Sequence, residues 1–121
     1  MGRILLLLTV LCVPALAEAQ TEAEWQRGVE LRRQGQDAAA LEVFAALHAR
    51  TASPASLAQV ALAEQALGRW GAAALHLDAA LARPDAWVTE RRGALAQARD
   101  EITRHVGQLE VLVSRAGVTV E

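Results

Sequence analysis

Gly35 and Gly68 stand 33 residues apart, and the same offset carries other residues onto residues of similar size. It takes Gly28 to Ala61, Ala40 to Ala73, Leu41 to Ala74, Phe44 to Leu77, Leu47 to Ala80 and His48 to Leu81. Small residues stay small and large residues mostly stay large. Ala is abundant in the chain, so the Gly35/Gly68 and Phe44/Leu77 pairs carry most of the weight. A period of this length means one supersecondary unit used twice, with each unit burying its apolar face against the next. The chain has 121 residues, enough for one small domain.

Each copy reads as two helices. In the first copy Thr21 can cap a helix, with Glu24 completing a capping box. That helix carries Trp25, Gly28, Val29 and Leu31 and stops at Gly35. Asp37 can cap the next. Its residues Ala40, Leu41, Phe44, Leu47 and His48 fall on a single helical face. The second copy opens at Ser53-Pro54, a capping residue followed by proline at the first helical position. It runs through Leu57, Val60, Ala61 and Leu67 to Gly68. The partner helix starts at Trp70 or Gly71, shows the face Ala73, Ala74, Leu77, Ala80 and Leu81, and ends at Pro84. The expected fold is mainly α.

This arrangement resembles the tetratricopeptide repeat (TPR), a recurring helical hairpin of about 34 residues. The likeness rests on Trp25, Gly28, Gly35, Ala40 and Phe44 in the first copy, and on Ala61, Gly68, Ala73, Leu77, Ala80 and Pro84 in the second. The aromatic usual in the family's first helix is Leu31 in one copy and Glu64 in the other. The resemblance implies two stacked hairpins over residues 20–84. Small residues at Gly28/Ala61 and Ala40/Ala73 would let helices approach, with Phe44 and Leu77 between the hairpins.

Residues 85–106 predict a longer fifth helix, with Val88, Leu95 and Ile102 seven apart. Arg91, Arg92, Arg99, Asp100, Glu101 and Arg104 line its other faces, as suits a helix that caps a repeat stack. After Val106 the pattern alternates. Leu109, Val111 and Val113, then Val118 and Val120, flank a turn at Ser114–Gly117, and a short C-terminal β-hairpin is expected over residues 107–121. The segment resembles the opening of a PEGA-type domain, a small β-sandwich module attached to exported bacterial proteins.

Residues 1–19 have the layout of a cleavable signal peptide. A positive start at Arg3 is followed by an apolar run over 4–13, then Pro14 and small residues. Cleavage is expected after Ala19 or Ala17, which places the mature chain in the periplasm or outside the cell. The run is shorter than the roughly 20 residues that span a bilayer, so no transmembrane segment is expected in the mature chain. The sole cysteine, Cys12, lies within this run, preceded by Leu11 where a lipoprotein signal needs a small residue.

Nothing in the rest of the chain points to chemistry. His48, His76 and His105 show no metal-ligand spacing, no cysteine remains after cleavage, and there is no phosphate-binding glycine loop. All 12 basic residues are Arg, but the net charge is −2, without the basic excess of a nucleic-acid binder. The chain is therefore expected to be non-catalytic, with no metal or cofactor.

The leading expectation is an exported scaffold that binds a protein or peptide partner in the cell envelope through a TPR-like concave surface. The alternatives are an envelope-anchoring or wall-associated module whose β part makes the contact, and a truncated gene product. In the repeat register, Trp25, Val29, Arg32, Arg33, Leu62, Gln65, Arg91, Leu95 and Arg99 would line the concave surface. Four guanidinium groups there would favour an acidic segment or a C-terminal carboxylate.

Overall fold

A computed structural model describes the backbone of residues 13–115 and the side chains of residues 15–108. Six helices follow one another: α1 (Val13–Arg33), α2 (Asp37–Thr51), α3 (Pro54–Ala66), α4 (Trp70–Leu81), α5 (Ala86–Glu90) and α6 (Arg92–Arg115). Successive helices α1 to α4 pack on one another, and α6 packs chiefly on α4. Among the described residues no helix is long and apolar enough to cross a membrane.

The period of the sequence reappears in the backbone. Gly35 and Gly68 take φ of 75° and 73°, the left-handed conformation that costs glycine least. Gln36 N–H donates to Leu31 O at 2.8 Å, and Arg69 N–H donates to Glu64 O at 2.9 Å. Gly35 N–H donates to Arg32 O, and Gly68 N–H to Gln65 O, both at 3.0 Å. Both hairpins turn by the same hydrogen-bonded helix ending. Ser53 caps α3 by accepting from Ser56 N–H at 3.1 Å, ahead of Pro54.

Two apolar clusters form the core. Ala40, Phe44, Leu47 and Val60 make the first, with Trp25, Val29, Leu31 and Leu41 packed around it. The second contains Ala58, Ala61, Ala73, Leu77, Ala80, Val88, Leu95 and Ile102. The matched positions Ala40/Ala73, Phe44/Leu77 and Leu47/Ala80 are all buried. Gly28 and Ala61 are buried too.

Four expectations need correction. The C-terminal β-hairpin is not seen. Residues 107–115 continue α6, and residues 116–121 lie outside the described residues. Leu109, Leu112 and Val113 also satisfy helical spacing, and extending an existing helix avoids the nucleation cost of a marginal lone hairpin. The single helix over 85–106 is interrupted at Arg91 (φ −110°, ψ 13°), separating α5 from α6. Asp85 caps α5, accepting from Val88 N–H at 3.0 Å.

The capping box at Thr21 does not form, because α1 already runs from Val13. Thr21 Oγ1 donates to Ala17 O at 3.0 Å in mid-helix. Asp37 is the first residue of α2 rather than its cap. Gln36 holds the cap position and makes no side-chain capping bond. Of the expected signal segment, residues 1–12 lie outside the described residues. Residues 13–19 form the first turns of α1, with Ala15–Gln20 exposed.

Candidate functional site

The helices that lead each unit, α1 and α3, meet near Arg32. Its position in the last turn of α1 aims the side chain along α3. Nη1 donates to Oε1 of Gln59 at 3.0 Å, and Gln59 is itself buried. Nε–H is covered and has no partner. Burial pushes the guanidinium below the usual arginine value, and Asp37 at the start of α2 offsets part of that effect. The group is still a cation at neutral pH.

Four other arginines lie beside acids. Arg33 lies 3.4 Å from Glu30 within α1, Arg50 pairs with Glu24, and Arg91 lies 3.5 Å from its neighbour Glu90. Arg99 Nε lies 2.6 Å from Asp78 on α4. Among the described residues, Arg32 is the one arginine that is not exposed, and it has no carboxylate at ion-pair distance.

At the other end of this face, Trp25 of α1 meets Trp87 of α5 edge to face, with centroids 5.4 Å apart. Trp25 also meets Phe44 of the first cluster at 5.5 Å. The Arg91 guanidinium lies 4.3 Å above the Trp87 ring, a cation–π arrangement. Trp25, Arg32, Gln59, Trp87 and Arg91 therefore belong to one surface shared by α1, α3 and α5.

The remaining expected residues are distributed differently. Val29 packs on the first cluster and Leu62 on the second. Gln65 donates to Glu101 Oε2 of α6 at 3.0 Å. Arg33 points to solvent. Leu95 is 2% exposed and belongs to the core. Arg99 turns towards α4, where Asp78, Leu81, Ala82, Arg92, Ala96, Arg99 and Asp100 line an open cleft of about 640 Å³. The structure brings Trp25, Arg32 and Arg91 onto the shared face. It places Leu95 and Arg99 elsewhere, because α6 packs on α4.

Sequence reasoning missed three polar or aromatic arrangements. Glu64, 6% exposed, holds His76 Nδ1 at 2.5 Å. The Trp70 and His105 rings stack at 3.8 Å, tying α4 to α6. His48 Nδ1 lies 2.8 Å from Ser56 Oγ. Ser56 Oγ also lies 2.9 Å from both the carbonyl oxygen and the hydroxyl of Ser53. Ser56 is 1% exposed, so this Ser–His pair ties the α2–α3 turn together and presents no accessible nucleophile. Among the described residues no group of three His, Cys, Asp or Glu side chains could hold a metal ion.

No protein-family model, no curated protein and no solved structure matches this chain.

Proposed function

We propose that this chain is an exported, non-catalytic scaffold that binds a protein or peptide in the cell envelope through the face shared by α1, α3 and α5. Arg32 carries the reading. A partly desolvated guanidinium held by a neutral amide, with no carboxylate at ion-pair distance among the described residues, favours an acidic acceptor from outside. An acidic segment or a C-terminal carboxylate offers that acceptor. Arg91 adds a second cation on the same face. The stacked hairpins resemble tetratricopeptide repeats, which bind extended peptides along such surfaces.

Export is part of the proposal. The charge and apolar layout of residues 1–19 fit a cleavable signal, and the exposed residues 15–20 pack against neither apolar cluster. Affinity capture from an envelope extract tests the binding. The chain should retain a partner that the Arg32→Glu/Arg91→Glu variant loses while remaining folded, and added salt should weaken retention. Equal capture by the variant, unaffected by salt, would reject the carboxylate-binding role.

A further inference from the structure

The open cleft between α4 and α6 is lined by two arginines and two aspartates, and so carries no net charge. Arg99 of α6 and Asp78 of α4 pair with each other across it at 2.6 Å. Arg92 and Asp100 also line it, and among the described residues neither has an ion-pair partner. Both are exposed. Trp25, Arg32, Trp87 and Arg91 are not part of this cleft, so the proposed peptide face does not draw on it.

The two uncommitted charges are placed symmetrically. Arg92 and Asp100 stand four residues to either side of Ala96, which is exposed and lines the same cleft. Residues four apart share a helix face, so this face reads cation, methyl, anion along α6. Leu95 and Ile102 belong to the core on the opposite side. A neutral cleft offers little to a ligand of one sign. A face that reads cation, small residue, anion is matched by the same face reversed.

In two antiparallel helices related by a two-fold axis, residues equally far from the axis on opposite sides meet. With the axis at Ala96, Arg92 meets Asp100 of the copy, and Asp100 meets its Arg92. A parallel pairing would set like charges together, which fixes the direction. Ala96 at the axis lets the helices approach. So does the exposed Gly93, where an added Cβ would meet nothing within 4 Å. Gly93 falls opposite Arg99 of the copy, which leaves room for the Arg99–Asp78 bridge. Leu81 and Ala82 of α4 add apolar surface beside this face.

We propose that this cleft is a self-complementary interface, through which two copies of the chain pair α6 against α6 about an axis at Ala96. The paired charges span about two helical turns, which makes this a small, polar and reversible contact. The inference does not depend on the peptide-scaffold reading.

Sedimentation of the full chain between about 1 µM and 1 mM tests it. Wild type should pass from monomer to dimer within this range, and added salt should favour the monomer. Arg92→Asp leaves only acids at both contacts, and Asp100→Arg leaves only arginines. Each should weaken pairing at least about tenfold while keeping the helical content of wild type. Arg92→Asp/Asp100→Arg restores both ion pairs with their signs exchanged and should restore the dimer. Mixing the two single variants should do the same, because every contact of the mixed dimer then joins an acid to an arginine.

A wild-type chain that stays monomeric up to about 1 mM overturns the interface. So does a dimer that the single variants leave unchanged, or a loss that the exchange or the mixture fails to repair. If a single variant does not fold, Ala96→Glu takes its place. It sets two acids against each other at the axis and should abolish pairing, and unchanged pairing overturns the proposal.

Discussion

Replacing Gly28 by alanine sets two effects of known size against each other. In an open helix interior, Ala is favoured over Gly by about 1 kcal/mol. At Gly28 an added Cβ would lie 2.6, 2.7 and 2.9 Å from Cζ, Cε2 and Cε1 of Phe44. All three atoms belong to one rigid, fully buried ring, which also touches Trp25. The ring cannot yield atom by atom, so it or α1 must move as a whole. Overpacking of this kind costs about 1–3 kcal/mol, which outweighs the propensity gain. We expect Gly28→Ala to lose about 1 kcal/mol net, or about 4–8 °C in Tm for a domain of this size.

The second repeat supplies the rescue. Where copy one pairs Gly28 with Phe44, copy two has Ala61 and Leu77 at the same positions. Phe44→Leu alone leaves a void and should destabilise by about 1–2 kcal/mol. In Gly28→Ala/Phe44→Leu the new methyl meets the smaller side chain. Urea unfolding of the four proteins gives the coupling, which should favour the double variant by about 1 kcal/mol or more over the sum of the singles. Additivity within about 0.5 kcal/mol, or a Gly28→Ala protein at least as stable as wild type, would refute the close approach of α1 to Phe44.

Three further outcomes can be checked by similar means. His76→Ala leaves the buried Glu64 carboxylate without its partner and should cost about 1–3 kcal/mol in urea unfolding. Glu64→Leu/His76→Val, which installs the Leu31 and Val43 of copy one, should be at least as stable as wild type. Ala52 holds φ of 51° at the end of α2, so Ala52→Gly should raise stability by about 0.5–1 kcal/mol, and a loss would show that the left-handed cap is not adopted. Protein recovered from the periplasm or medium should begin at Gln20 or Glu18 by intact mass, whereas full-length chain confined to the cytoplasm would exclude export.

Those elements that one helix period or one turn encodes were legible in the sequence. Gly35 and Gly68 mark hairpin turns because a left-handed residue is needed there, and Ser53-Pro54 marks a helix start for equally local reasons. The buried faces of α2 and α4 follow from their spacing. The end of the chain was not legible, because Leu109–Val113 satisfies a strand period and a helix period together. Only the preceding turns of α6 decide between them. The break at Arg91 is hidden as well. Val88 and Leu95 keep helical spacing across it, while the Trp87 contact with α1 and the packing of α6 on α4 draw the two pieces apart.

The candidate site was legible by helix face but not by partner. The repeat register put Trp25 and Arg32 on the surface of α1 that faces α3, since both copies follow the same hairpin path. It could not supply Gln59, whose role depends on the reach of Arg32 across two helices. Nor could it supply Trp87, 62 residues from Trp25 and outside the repeated unit. Gln59 matches Gln26 of copy one and gains its role from the Arg32 beside it. The Trp87 contact arises where copy two departs from copy one, with Ala58 in place of Trp25 leaving room for Trp87 on the shared face. The same holds for Glu64 and His76, a polar pair standing where copy one has Leu31 and Val43. A repeat therefore encodes its common scaffold in what its copies share, and its individual surface in the positions where they differ.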